Sequence, residues 1–149
     1  SMSSIPILDG DFDPEKEFNK IKGKLKIDIS NLNSQMAEQP AMFGYYIVRY
    51  RLLKSWAERL KASLSLLEND LIEKARERYD QISKKYTETQ LRSEALASTD
   101  YFKAHKEYHD VNRKLAITEG IIESLRSRHE MLVSIGYNLR FEREVSVKE

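Results

Sequence analysis

The 149-residue sequence contains no cysteine, only three prolines and five glycines, and no long apolar run. Without cysteine the chain has no disulfides, thiol catalysis or cysteine-ligated zinc, which is compatible with a reducing compartment such as the cytoplasm. Because there is no stretch of about 18 apolar residues, we expect no membrane-spanning segment and no membrane partner. The low glycine and proline contents exclude collagen-like and Pro-rich disordered classes. At 149 residues, the chain has room for one domain.

Charge is abundant but nearly balanced, with 25 Lys and Arg against 24 Asp and Glu and a net charge of +1. This balance does not by itself indicate a nucleic-acid-binding domain, which usually carries a basic excess. The distribution is uneven, however. Residues 41–86 hold ten Lys and Arg against six Asp and Glu, whereas residues 1–40 and 87–149 are slightly acidic. Any basic face must therefore be local.

Residues 1–27 differ from the rest of the chain and are interpreted as an N-terminal arm with an acidic stretch at Asp9, Asp11 and Asp13. Asp13 followed by Pro14 predicts the start of a short helix, since Asp favours the N-cap and Pro favours the first turn. This helix is expected to end near Gly23.

Two further short elements are expected before the long helical part of the chain. Polar and apolar residues alternate over residues 24–29, which predicts a short strand that would pair with a copy of itself in another subunit. Residues 30–39 are expected to form a further helical turn or two that ends before Pro40.

Helical spacing dominates the remaining sequence. Apolar residues recur at steps of three and four over residues 41–86, and a heptad seam follows over about 100–142. The polar residues 87–98 between them predict a short helix or loop that reverses the chain. We therefore predict an all-α fold in which residues 28–149 form a long antiparallel, coiled-coil-like helical hairpin.

The last helix carries more apolar surface than a two-helix hairpin can cover, because a second apolar stripe runs beside the heptad seam. With no third long helix, this surface is expected to be buried against further copies of the chain. The alternative is that the N-terminal arm folds back over it. We predict a homo-oligomer whose interface includes five residues of this helix: Ile121, Leu125, Leu132, Ile135 and Leu139.

Catalytic motifs are absent from the sequence, which has no Gly-rich phosphate loop, no G-x-S-x-G and no Cys/His pair. His105 and His109 are spaced i,i+4, but Lys106 stands where the H-E-x-x-H motif has its glutamate. Two histidines on one helix face are the more ordinary reading. We expect neither an enzyme nor a metal site or cofactor.

A basic cluster near the end of the first long helix is the strongest candidate binding site. Residues 73–86 read EKARERYDQISKKY. Cations that follow phosphates, together with aromatic faces for unstacked bases, are typical of single-stranded nucleic-acid binding. The alternative is a solvated helix face with ion pairs at i,i+4 spacing. We predict a DNA-binding site formed by Lys74, Arg76, Arg78, Tyr79, Lys84 and Lys85, which would gain avidity in an oligomer.

Three features in order carry a family resemblance over roughly residues 28–143. A run from Trp56 reaches a Lys-Ala-Arg-x-x-Tyr motif at residues 74–79, a tyrosine-rich spacer follows, and the segment EGIIESLRSRHEMLVSIGYNLRFE comes last. This order resembles the phage recombination mediator UvsY family.

The resemblance implies a non-enzymatic homo-oligomeric ring that binds single-stranded DNA, in the host bacterial cytoplasm if the protein is phage-encoded. Such mediators act in DNA recombination and repair, where they help a RecA-like recombinase replace single-strand-binding protein. It further implies that Lys74 and Arg76 contact DNA and that the C-terminal helix is the assembly element. The other hypothesis is a structural coiled-coil adaptor that binds only protein partners.

Overall fold

The computed structural model describes residues 12–148 of the chain. It contains four α-helices, α1 (Pro14–Ile21), α2 (Leu32–Gln81), α3 (Glu88–Leu96) and α4 (Thr99–Lys148), and a 3₁₀ turn (Ile29–Asn31) directly before α2. The described residues include no strand, which confirms the all-α class. The first part of the predicted arm, residues 1–11, lies outside the described residues.

Helix α1 begins at the Asp-Pro-Glu sequence, as predicted. Asp13 is its N-cap, and its side chain accepts hydrogen bonds from the backbone N–H groups of Glu15 and Lys16. Pro14 occupies the first turn, where no intrahelical partner exists for an N–H group. The helix ends at Ile21, close to the predicted end.

The chain that follows α1 forms a turn, so the strand predicted for residues 24–29 is wrong. The backbone N–H groups of Lys24 and Leu25 both donate to the Ile21 carbonyl, which closes the turn. Leu25 packs against the core of its own unit, whereas Ile29 is exposed. The alternation of polar and apolar residues over 24–29 therefore belongs to a turn that packs on the helices of its unit through Leu25. The described residues include no second strand with which this segment could pair.

Helix α2 continues through Pro40, so the prediction that a helical segment ends before this proline is wrong. Proline removes one backbone hydrogen bond from a helix interior. The helix persists because side chains on both sides of the proline pack in the same unit. Gln39 donates from Nε2 to the Leu125 carbonyl of α4 at 2.6 Å, and Phe43 and Tyr46 contribute to the apolar core.

Helix α2 ends at Gln81, short of the predicted end at residue 86, while α4 extends beyond the predicted residue 142 to Lys148. Ser83 has a φ of 51°, in the left-handed region that terminates many helices. The Lys84 N–H then donates to the Tyr79 carbonyl at 2.9 Å. This ending turns residues 82–87 away from the helix path.

The chain divides into two compact units, and the first combines α1, the 3₁₀ turn, α2 as far as Leu52 and α4 from Lys114. Its core contains four buried side chains, Tyr46, Ile121, Ile122 and Leu125. Partly buried apolar residues of α1, the following turn and α2 pack around them. Three stretches of chain thus share one core with the part of α4 that begins at Lys114.

The second unit spans Leu53–Arg113 and contains the rest of α2, α3 and the first turns of α4. A capping box starts α3: the Thr87 hydroxyl accepts from the Gln90 N–H at 3.2 Å, and the Gln90 side chain accepts from the Thr87 N–H at 3.0 Å. Leu91 and Ala95, one turn apart, are buried, so α3 packs by one apolar face.

Within residues 12–148, no helix is both long enough and apolar enough to cross a bilayer.

Candidate nucleic-acid interface

The predicted basic cluster lies in the second unit, at the end of α2 and in residues 82–87. A groove of about 440 Å³ opens between these residues and α3. Six of the residues that line it define the Tyr79 groove: Tyr79, Lys84 and Lys85 with Thr89, Ser93 and Glu94. The structure thus brings together three of the six predicted DNA-binding residues around one concave surface.

Two tyrosines stack beside the groove, and cations lie over their rings. The Tyr79 and Tyr86 ring centroids are 5.8 Å apart, with 27° between the ring planes. The Lys84 ammonium lies 5.4 Å from the Tyr79 centroid, and the Arg76 guanidinium lies 5.9 Å from the Tyr86 centroid. Both distances are within the range of cation–π attraction, so positive charge and aromatic faces are held side by side.

Arg76 and Arg78 form ion pairs with α3. Arg76 binds Glu88 through two parallel contacts, Nη1 to Oε1 at 2.6 Å and Nη2 to Oε2 at 3.2 Å. Its Nε also donates to Glu73 at 3.2 Å. The Arg78 Nη2 atom lies 2.6 Å from Glu94 Oε1. The two arginines therefore hold α3 against α2, and their charge is partly neutralised where a phosphate would have to bind.

Lys74 follows the solvated-face pattern, since its ammonium pairs with Asp70 one turn earlier at 3.0 Å. Both side chains are more than half exposed, and such exposed pairs contribute little to stability and exchange readily with other partners. Lys74 therefore remains accessible, but it is not part of the Tyr79 groove.

Hydrogen bonding and charge shift the pKa values of three of these groups. The hydrogen bond to Glu88 raises the pKa of Arg76, which stays charged. A hydrogen bond with Glu94 raises the pKa of Tyr79, and the same contact, with Arg78, lowers the pKa of Glu94. The ionised Glu94 carboxylate thus stabilises the folded state. This contribution is fully present above the pKa of a glutamate in the unfolded chain, and it is lost as the pH falls through the lower pKa of Glu94 in the folded chain.

Lys84 and Lys85 are the cations of the cluster that form no salt bridge with the described residues, although the charge of Lys84 also contributes to lowering the pKa of Glu94. Both side chains are exposed, and within the described part of the chain no carboxylate lies within 4 Å of either ammonium group. These two lysines can bind an anion without breaking an existing ion pair.

The residues predicted to form the oligomer interface divide into two groups. Ile121, Leu125 and Leu132 are at most 2% exposed and are covered by their own protomer. Ile135 is half-buried and Leu139 is 39% exposed, so both can contact another copy.

Sequence reasoning missed an exposed apolar stripe at the C-terminal end of α4. Four exposed residues at steps of four form the C-terminal stripe: Val133, Tyr137, Phe141 and Val145. Their i,i+4 spacing was the signal that could have identified them, because it places them along one side of the helix. This stripe, with Leu139 nearby, is a continuous part of the apolar surface that α4 leaves exposed; Phe102, Met131 and Val147 are exposed elsewhere on the helix.

Glu88 and Glu94 were also missed as site residues. They lie 12 and 16 residues from their arginine partners, beyond any local pairing rule. The His105 and His109 rings lie 4.6 Å apart on α4, but no group of three or more possible metal ligands occurs among residues 12–148.

The fold and the groove define a class: a helical protein with a small basic, tyrosine-lined surface site. No family model, curated protein or solved structure matches the chain.

Proposed function

We propose that this chain is a non-catalytic, self-associating protein that binds single-stranded DNA through the Tyr79 groove. The observation that carries the proposal is the pair of unpaired lysines, Lys84 and Lys85, beside the stacked rings of Tyr79 and Tyr86. Lysines that form no salt bridge attract the phosphates, and an aromatic face accepts an unstacked base whatever its identity.

The arginines act in a second step of this binding. A phosphate has the same charge as the Glu88 and Glu94 carboxylates and the same bidentate fit to a guanidinium. Arg76 and Arg78 can therefore exchange a carboxylate for a phosphate once the strand is held by the lysines. In the proposal, Glu88 and Glu94 weaken DNA binding by competing for these two arginines.

Assembly supplies the affinity that one groove lacks. Two lysines and a tyrosine form a small site, but a ring of protomers repeats it, and each further contact with the same strand becomes intramolecular. The antiparallel hairpin predicted from the helical spacing and the ring implied by the family resemblance are part of this proposal, with the C-terminal stripe and Leu139 at the contact between copies.

The biological role follows from the resemblance to the UvsY family. A protein that wraps or kinks a strand on repeated basic surfaces weakens the hold of a single-strand-binding protein. It then presents the strand to a RecA-like recombinase. Every step uses binding free energy, and no bond is made or broken.

Fluorescence anisotropy with a labelled oligo-dT at several salt concentrations tests the DNA-binding proposal. The double variant Lys84→Ala/Lys85→Ala should bind more weakly than the wild type. Its plot of log affinity against log salt should be shallower by up to about 1.4, because about 0.7 of a counterion is released for each phosphate contact on a single strand.

The matched control is Lys103→Ala/Lys106→Ala, which removes two exposed lysines from α4 in the same unit. This control should retain the wild-type affinity and salt slope apart from a small general charge effect. Equal losses in the two double variants would show that the Tyr79 groove is not the site.

A protein-only coiled-coil adaptor is the second candidate function. It is favoured by the carboxylate partners of Arg76, Arg78 and Lys74, and by the exposed C-terminal stripe. If the wild-type chain self-associates but does not bind oligo-dT at low salt, the adaptor is the correct function.

A further inference from the structure

Arg128 is a buried cation with no anionic partner in the described part of the chain. It lies on α4 in the first unit and is 5% exposed. No carboxylate of residues 12–148 lies within 4 Å of its guanidinium. Buried charges in proteins are normally paired, because transfer of an isolated charge out of water is strongly unfavourable.

Two neutral amides of α2 bind this guanidinium and leave part of it unsatisfied. The Arg128 Nη1 atom donates to Gln39 Oε1, and Nη2 donates to Gln35 Oε1 at 3.4 Å. The buried Nε–H has no hydrogen-bond partner among the described residues. The amides orient the guanidinium but do not neutralise it.

Arg128 is one of the residues that line a cavity of about 700 Å³ in the same unit. One part of the lining is apolar and includes Ile21 of α1 and Met42 of α2. Lys24 and Lys26, from the turn after α1, also line the cavity and add positive charge. The cavity is large enough for a small molecule, and its lining combines an apolar part with charged and polar groups.

Three carboxylates also line the cavity, and two of them are already engaged. Glu17 accepts a hydrogen bond from the Tyr46 hydroxyl at 3.3 Å. Asp28 accepts from the Ser30 N–H and hydroxyl at 3.0 and 2.6 Å. Glu38 is exposed. None of the three neutralises Arg128.

We propose that this cavity binds a small organic anion. The oxyanion, a carboxylate or a phosphate ester, accepts hydrogen bonds from Arg128, and the apolar body of the ligand lies against Ile21 and Met42. Guanidinium groups suit both oxyanions, because their planar N–H groups match the geometry of either. The ligand supplies the counter-ion that the described residues lack. This site lies within the first unit and is independent of the DNA-binding proposal.

The test is an NMR titration of the full chain that follows the Arg128 Nε–H signal, with four probes at matched ionic strength. The probes are acetate, inorganic phosphate, benzoate and phenyl phosphate. We expect millimolar benzoate or phenyl phosphate to shift this signal at lower concentration than acetate or inorganic phosphate, because only the first two carry an apolar body. The more effective of benzoate and phenyl phosphate identifies the oxyanion.

The variant Gln39→Glu provides a nearly isosteric internal counter-ion. It places a carboxylate where the Gln39 amide oxygen now accepts from Arg128 and keeps the buried cation, but it removes the N–H donor of the hydrogen bond to the Leu125 carbonyl. Anion affinity should fall by about tenfold or more, as a charge-assisted hydrogen bond is lost to an internal competitor. The matched control Gln81→Glu, which adds the same charge at an exposed position, should leave the affinity unchanged.

Two results would overturn the proposal. One is an Arg128 Nε–H signal in the wild-type chain that none of the four probes shifts. The other is equal affinity for probes with and without an apolar body, since that result describes a nonspecific charge effect. The wild-type titration requires no variant, so the test does not depend on how well Gln39→Glu folds.

Discussion

At the scale of single residues, the charge of the candidate site depends on contacts that cross from α2 to α3. Arg76 and Arg78 have the residue type and position expected of phosphate ligands, yet each faces a glutamate of α3. An arginine in an ion pair releases no counterion until its partner is displaced. The positive potential of the site is therefore lower than the count of ten Lys and Arg over residues 41–86 suggests.

Neutralising the two glutamates should strengthen DNA binding. In Glu88→Gln/Glu94→Gln, both arginines keep a hydrogen-bonding neighbour but lose the competing charge. We expect a higher affinity for oligo-dT and a steeper salt dependence, by up to about 0.7 in slope for each arginine that reaches a phosphate. Fluorescence anisotropy at several salt concentrations measures both quantities.

The control for this prediction is Glu123→Gln/Glu130→Gln, which removes two exposed carboxylates from the first unit. This control should raise the affinity for oligo-dT less than Glu88→Gln/Glu94→Gln does. It should leave the slope of log affinity against log salt unchanged. An affinity in Glu88→Gln/Glu94→Gln no higher than in this control would mean that Arg76 and Arg78 serve only to hold α3 in place.

The residue types of the site were predictable from sequence, whereas their pairing was not. Lys74 and Asp70 are one helical turn apart, so a local rule accounts for their contact. The partners of Arg76 and Arg78 depend on where α3 begins and on how the chain turns at Ser83, a non-glycine residue with a positive φ. Such contacts follow from tertiary structure and have no signal in a single sequence.

At the scale of secondary-structure elements, α3 depends on a small number of polar contacts. It is nine residues long, and helices of this length are only marginally stable in isolation. The capping box at Thr87 and Gln90 satisfies two backbone groups at its start, and Leu91 and Ala95 anchor its apolar face. Because three residues of the Tyr79 groove lie on α3, loss of the cap should affect the site as well.

Thr87→Ala should lower the free energy of unfolding by about 1 kcal/mol, the usual effect of removing an N-cap side chain. Chemical denaturation measures the loss. Thr89→Ala is the matched control, because Thr89 is exposed inside α3 and makes no capping hydrogen bond. If the two variants have equal stability, the capping box contributes nothing to the folded state.

Pro40 removes one backbone hydrogen bond from the interior of α2, and the helix continues because its side chains pack within the first unit. Pro40→Ala restores a backbone N–H to the helix interior and should raise the free energy of unfolding by about 1–3 kcal/mol. Pro14→Ala is the contrasting variant: Pro14 lies in the first turn of α1 and is buried, so its replacement should destabilise. A destabilised Pro40→Ala variant would mean that the helix requires the proline.

Helix periodicity was the dependable part of the sequence at this scale, and the short elements predicted between residues 24 and 40 were wrong. The start of α1 was predictable because Asp13 and Pro14 act through their own backbone neighbours. The wrong strand at residues 24–29 and the wrong helix end at Pro40 have one cause. In both places, packing within the first unit determines the backbone conformation more strongly than local preference does.

At the scale of the whole molecule, self-association is the property on which the proposed avidity depends. The apolar side chains of α4 now separate into those covered by the protomer and those left exposed. Leu132→Asp would put a carboxylate in a fully buried position and should unfold the first unit before it tests assembly. The informative changes are in the C-terminal stripe, where Tyr137 and Phe141 are 63% and 57% exposed.

Val133→Asp/Phe141→Asp should dissociate the assembly and leave the helical content unchanged. The interface would lose apolar area and gain two charges that repel their copies, whereas the protomer buries neither side chain. Sedimentation velocity and native mass spectrometry measure the mass, and circular dichroism verifies the fold. Phe102→Asp is the control, since Phe102 is 67% exposed on α4 but lies in the second unit, outside the stripe.

The dissociated variant should also bind long oligo-dT much more weakly, because avidity is lost while every Tyr79 groove remains intact. A wild-type protein that sediments as a monomer would remove both the interface and the avidity from the proposal.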